Sequence, residues 1–231
     1  MRNADAVAPR GRGSLSRSRV LETAVALADR GGIEALTMRA LAAELGVEAM
    51  SLYHHVANKN DLLDGLADEV AAEIEAAVAE RAAGTPDEWK HALRRRILTA
   101  RDVMMSHPWA PGVLESRTRF SAAIIRYYDA SIALMRVGGL SYDLVHHAMH
   151  ALGSRMLGFS QELFDPGGSA DEDPSEEMLA QMAADAPHIV EMVSNVSHDD
   201  QTTLGWCDDQ AEFEFGLDLL LDGLERLAAR R

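Results

Sequence analysis

One cysteine in 231 residues, Cys207, has no partner for an internal disulfide and fits a reducing compartment, where a lone thiol usually just fills space. Its neighbours Asp208 and Asp209 would not depress its pKa, which argues against a reactive nucleophile. No run approaches the roughly 20 apolar residues needed to cross a bilayer, and the arginines near the N-terminus have no apolar signal core behind them. The expectation is a cytosolic protein with no membrane partner. Strand-like alternation is missing, as is any repeat at a 20 to 50 residue period, so the chain reads as all-α without a solenoid. Basic residues are scarce: 22 Lys and Arg stand against 37 Asp and Glu, a net charge of −15. What is present is 47% hydrophobic and 26% charged, ordinary for a folded chain long enough to bury a sizeable core in one domain or two.

The shortage of positive charge is uneven. Residues 1–60 hold eight Lys or Arg against six Asp or Glu, a net of +2, while the remainder holds 14 against 31, a net of −17. Such asymmetry suggests a small module that approaches an anion, joined to an acidic body with another task. Nucleic acid is the first partner to consider. For the body alone, acidity needs no more explanation than solubility.

Residues 1–14, rich in Arg, Gly and Pro without periodicity, are expected to form a mobile arm. From Ser16, Val20, Ala24, Leu27 and Ala28 mark one face of a helix that Gly31-Gly32 should end. Thr37 stands where an N-cap belongs, before Met38, Leu41, Ala42 and Leu45 on one face, and Gly46 closes this second helix. A short third helix is expected within Glu48–His55, with Leu52 and Val56 inward and Ala49, Met50, Ser51, Tyr53 and His54 largely outward. Two short helices joined by a Gly turn make a helix-turn-helix. A longer helix over about 58–83, with Leu62, Leu63, Leu66, Val70, Ile74 and Val78 in phase, can link head to body. Thr85 and Pro86 open the next, which ends near Pro108. Further helices are expected over about 110–116, 120–137, 142–164, 174–184, 187–194 and 208–229, with an acidic loop around 165–175. The domain reading is an arm over 1–14, a helix-turn-helix domain over 15–61, and an antiparallel helical ligand-binding and dimerisation domain over 62–231.

A helix-turn-helix places the start of its second helix in the major groove while the first helix crosses the backbone. Arg39 can reach a phosphate or a guanine edge, and Lys59, beside the cap residue Asn58, can meet phosphate where free amides also point. Ala49 and Met50 offer apolar contact to a thymine methyl; Ser51, Tyr53, His54 and His55 offer hydrogen bonds. The overall charge does not forbid this, because salt screens distant acids beyond about 8 Å.

The stretch "GIEALTMRALAAELGVEAMSLYHHVANKNDLLDGLADEV" closely resembles the DNA-binding head of the tetracycline-repressor (TetR) family of bacterial transcriptional regulators. "MMSHPWAPGVLESR", "GGLSYDLVHHAMHALGSRMLGF" and "FEFGLDLLLDGLERL" resemble the C-terminal domain of its tetracycline-repressor branch. The resemblance implies a homodimer on a palindromic double-stranded operator, released by a small-molecule effector, with late helices near 142–164 and 208–229 pairing between subunits. A leucine stripe at 217, 220, 221, 224 and 227 is wider than a lone surface helix needs, although it can equally be internal core. By the resemblance Arg39, Ser51, Tyr53, His55 and Lys59 match DNA-contacting positions, while Met38, Ala49, Met50 and His54 put different side chains at reading positions; Thr37 completes the DNA-facing set. The two histidines that hold a magnesium-tetracycline chelate in relatives are matched by Glu75 and Val113, and the ring-gripping asparagine and phenylalanine by Arg96 and Ala100. Tyr128, Ser131, His146, Met149 and His150 match the pocket wall. Losing an imidazole and gaining a guanidinium turns the site from chelation toward anion or carbonyl recognition, so tetracycline is not the expected ligand.

Alternatives come from other classes. His146, His147 and His150 can be read as the base of a helical enzyme, yet no nucleophile or acid accompanies them in a recognisable set. His146 and His150 have an i, i+4 spacing able to bind zinc, without a Cys or carboxylate at ligand spacing. Neither a metal nor a cofactor is called for, and the acidic loop lacks EF-hand spacing. An adaptor that binds proteins through the acidic body is a third reading.

Overall fold

The computed structural model describes residues 15–82, 88–117, 121–158, 184–188, 191 and 209–230. Among them are nine helices and no strand: α1 Arg17–Ala35, α2 Met38–Leu45, α3 Ala49–Leu52, α4 Lys59–Ala82, α5 Trp89–Ser106, α6 Ala110–Glu115, α7 Ala122–Val137, α8 Tyr142–Gly158 and α9 Asp209–Ala229. The expected arm, the Thr85 cap, the acidic loop and Cys207 lie outside the described residues, as do most of the helices expected over 174–194. The chain divides between Leu134 and Met135, inside α7, into two compact units.

Local chemistry explains how the first three helices start and stop. Ser16 Oγ accepts the Arg19 amide at 3.2 Å and Thr37 Oγ1 accepts the Ala40 amide at 3.1 Å, each satisfying an amide that the first helical turn leaves free. Gly32 (φ 73, ψ 170) breaks the regular course of α1, so the ending expected at Gly31-Gly32 takes the form of a kink, and the helical turn resumes as far as Ala35. Gly46 takes the left-handed conformation (φ 67, ψ 37) that residues with a Cβ avoid. Its amide bonds to the Ala43 carbonyl and that of Val47 to the Ala42 carbonyl, the Schellman pattern that ends α2 and turns the chain into α3. The third helix is only one turn long, shorter than the expected 48–55, because the chain passes into turns after Leu52.

In the first unit α2 packs against α1 and α3, while α4 packs along α5 and also touches α1 and α6. Val20, Ala24, Leu36, Leu41, Leu52, Val56, Leu62 and Leu66 are buried with almost no exposure, and each large one contributes about 1.5–3 kcal/mol by leaving water. Gly65 permits a close approach of α4 to α1: a Cβ there would stand 2.5 Å from Leu21 Cδ2. In the second unit α8 packs on α9, and Val145, Ala148, Leu152, Phe213, Leu217, Leu221 and Leu224 are buried. The other side of α9 stays apolar yet exposed at Phe215 (64%) and Leu219 (55%). Of the leucine stripe, Leu217, Leu221 and Leu224 are buried, Leu220 is half-buried and Leu227, near the end of the helix, is exposed.

Candidate nucleic-acid interface and effector site

The tip of the head is braced from behind. Arg17, at the start of α1, donates through both terminal nitrogens to Asp61 at 2.8 and 3.1 Å and to the His55 carbonyl at 2.8 Å. Asp61 also accepts the Ala57 amide at 2.7 Å, and its own amide donates to Asn58 Oδ1 at 3.0 Å, which caps α4. The hydrogen bonds from Arg17 and from the Ala57 amide hold the Asp61 carboxyl below its ordinary range, and the same pairing raises Arg17. Arg30 and Glu44 join α1 to α2 at 3.0 Å. These bonds hold α3 and the turn after it between α1 and the start of α4.

On that frame the expected contact residues stand outward to different degrees. Met50 is 73% exposed and Tyr53 44%; Thr37, Arg39, His54 and Lys59 are exposed as well. Ala49, Ser51 and His55 are half-buried. Among the described residues Arg39 and Lys59 pair with no acid and the Tyr53 hydroxyl makes no hydrogen bond. The Thr37 hydroxyl is engaged by its own helix. Leu52 and Val56, by contrast, are sealed inside as their spacing predicted.

Behind the head a second knot joins α1, α4 and the end of α5. His107 is buried; its Nδ1 lies 2.8 Å from Asp29 Oδ1 and its Nε2 3.1 Å from Glu73 Oε2. Trp109 Nε1 donates to the same Asp29 oxygen at 2.7 Å. Burial alone would lower the His107 pKa, but the two carboxylate bonds outweigh it and the net shift is upward. The sequence marked only the end of a helix near Pro108 here. Its partners stand 78 and 34 residues away, so no local pattern announces them.

The expected effector residues fall in both units. In the first, Arg96 on α5 donates from Nε to Ser131 Oγ (3.1 Å) and from Nη2 to the Tyr127 carbonyl (3.0 Å), with its guanidinium 4.3 Å from the Tyr127 ring centre. Burial pushes the Arg96 pKa down. Ala100 and Val113 are buried and Tyr128 is half-buried, its hydroxyl pKa raised by burial. Glu75, expected from the resemblance to stand at a chelating position, is gripped by Arg126 through three contacts of 2.7–3.2 Å, which hold its carboxyl below the usual range. Tyr127 went unnoticed in the sequence, where its neighbour Tyr128 matched the pattern instead.

In the second unit His146 and His150 share a face of α8 with ring centres 4.6 Å apart, and both are exposed; Met149 is half-buried. His147 lies 3.9 Å from Asp143 on the same helix. Among the described residues no three His, Cys, Asp or Glu side chains gather in a way that would hold a metal ion, and no helix is long and apolar enough to cross a membrane.

A short helix pair rigidly presented by a helical body defines a DNA-binding regulator of the helix-turn-helix class. The family model for bacterial regulatory proteins of the tetR family matches residues 20–66, and that for the tetracyclin repressor-like C-terminal domain matches residues 83–228. The chain belongs to the TetR family of bacterial transcriptional regulators. It is 31% identical over 227 residues to the HTH-type transcriptional repressor DrrR1 of Streptomyces coeruleorubidus, covering 94% of this chain and 80% of that one. With the class C tetracycline repressor protein of Escherichia coli it shares 28% identity over 217 residues, 92% of each chain. A possible TetR family regulator from Streptomyces coelicolor superposes with a TM-score of 0.70 at 27% identity, over 92% of this chain and all of that one. This membership makes the protein a regulator and not an enzyme, and the reading of His146, His147 and His150 as a catalytic base is set aside.

Proposed function

We propose that the protein is a repressor that binds a palindromic operator as a homodimer in the cytoplasm and is released by a small molecule other than tetracycline. The head would comprise residues 15–61 and the effector and dimerisation body residues 62–231. The observation that carries the DNA reading is the pairing of braced and free cations in one module. Arg17 and Arg30 are spent on acids that rigidify the head, while Arg39 and Lys59 stand exposed without acids beside Met50 and Tyr53. A chain of net charge −15 keeps cations unneutralised at its surface where a polyanion docks.

Two recognition helices spaced about 34–36 Å apart would meet one turn of DNA. The second copy would dock on α8 and α9, where Phe215 and Leu219 otherwise leave an apolar face in water. An effector held at α5 and α7 would act through α4, which packs along α5 and begins at the head with Lys59. It must bind the DNA-incompetent form more tightly, by about 1–3 kcal/mol in typical coupling. Against a magnesium-tetracycline chelate stand the engaged Glu75 and the apolar, buried Val113 at the positions of the two metal-binding histidines.

Fluorescence anisotropy with duplexes from the DNA flanking the gene tests the proposal. Nanomolar, steeply salt-dependent binding to a pseudo-palindrome is expected. Absence of binding to every flanking fragment at low salt would sink it. Sedimentation tests the second copy: a dimer at micromolar concentration is expected, turned to monomer by Leu219→Glu.

A further inference from the structure

Tyr127 carries the only side-chain polar atom among the described residues that is buried without a hydrogen-bond partner, its phenol oxygen; the residue as a whole is 7% exposed. Native proteins satisfy nearly all buried donors, so an orphaned phenol calls for a partner that the described residues do not supply, a water or a ligand acceptor. Over the ring of the same tyrosine lies the Arg96 guanidinium. A guanidinium has five N–H donors, and the bonds to Ser131 Oγ and the Tyr127 carbonyl use two of them. Neither acceptor is charged, and among the described residues no carboxylate comes within ion-pair distance of Arg96. The acid that attracts it from further off, Glu75, has both oxygens on Arg126. Arg96, Arg126 and Glu75 together leave one positive charge uncompensated, in a body whose remaining charge is strongly negative. A half-buried cation lacking a counter-charge and a buried phenol lacking an acceptor thus stand at one spot, on α5 and α7.

We propose that Arg96 and Tyr127 are the polar end of the effector site and that the effector is an organic acid. One carboxylate oxygen accepts from the free Arg96 N–H groups and another acceptor oxygen accepts a hydrogen bond from the Tyr127 hydroxyl. Burial raises the Tyr127 pKa, so the phenol stays protonated and serves as donor, not as a second anion. The proposal rests on reading the body as an effector receptor. It adds the charge and chemical class of the ligand. A neutral amide of the same shape would satisfy the tyrosine and leave the guanidinium without its counter-charge.

The test uses the full-length protein and a panel of acids, each paired with its primary amide: benzoate, salicylate, 1-naphthoate and decanoate. Thermal shift and calorimetry at neutral pH measure binding, and anisotropy measures release from the flanking DNA. At least one acid is expected to bind about ten-fold or more tightly than its amide, as charge-assisted hydrogen bonds require. Arg96→Gln should abolish that preference, Arg96→Lys should keep part of it, and Tyr127→Phe should weaken the acid several-fold. Equal behaviour of acid and amide in every pair, including no binding by either, overturns the proposal, as does full acid affinity in a folded Arg96→Gln protein. Failure of the receptor reading looks different: flanking DNA is bound, and neither the panel nor any neutral compound dissociates it.

Discussion

Two regions of the first unit use arginine and lysine in opposite ways. At the head, the cations left without an acid, Arg39 and Lys59, are exposed, while Arg17 and Arg30, exposed as well, are paired with Asp61 and Glu44. In the body the pattern reverses. The exposed Arg81 and Arg126 and the more enclosed Arg117 are paired, with Asp102, Glu75 and Asp64, whereas the half-buried Arg96 has no acid within ion-pair distance among the described residues. The difference teaches that residue type says little about a charge's task until burial and partner are known. A free cation in water can meet a phosphate backbone by losing only loosely held counterions, whereas a free cation inside must be met by an anion small enough to enter.

The comparison breaks first if the head is not a rigid platform. Leu52→Ala, which empties a fully buried position between the helices, should cost about 2–5 kcal/mol in urea unfolding and abolish DNA binding near physiological temperature. An unchanged midpoint would mean that the tip is not braced as described.

A smaller effect sharpens the contrast between solvated and paired cations. Lys59→Gln should weaken DNA binding at every sequence and reduce the salt slope by about one, while Arg39→Gln should cost about 1–3 kcal/mol if it reads a base. Thermal stability should stay near wild type in both. Loss of stability without loss of affinity would exchange their roles with those of Arg17 and Arg30.

The His107 knot lends the first unit a pH dependence of predictable sign. Its folded-state pKa lies above the ordinary 6.5, so its stabilising contribution is complete below about that value and fades as pH rises through the folded-state pKa. Stability should therefore fall from pH 6 towards alkaline pH by more in wild type than in His107→Gln. Parallel curves would show that the ring is neutral in the fold. Asp61 has the opposite sign: its pairing with Arg17 is stabilising above the ordinary carboxyl pKa of 3.8 and is lost as pH falls through the depressed folded-state value.

Smallest of all should be Arg30→Ala. Both partners of its pair with Glu44 are about half exposed, and such bridges contribute about 0–1 kcal/mol. A larger loss in a denaturation curve would show that the outer brace is as important as the inner one.

Much of the molecule follows from order along the chain. Thr37 as a cap, Gly46 as a left-handed stop, and Leu52 and Val56 as inward residues are all set by neighbours within four positions, so the helix-turn-helix and the outward tip residues were legible before any coordinates. Sequence also showed that the charges divide into a weakly basic head and an acidic body. Tertiary structure alone decided which charges meet: Arg17 with Asp61, His107 with Asp29 and Glu73, Arg126 with Glu75, and Arg96 with the ring of Tyr127 and no acid. Helix periodicity and capping are short-range, whereas these pairings join residues 31 to 78 positions apart, and only the packing of whole helices brings them within hydrogen-bond reach.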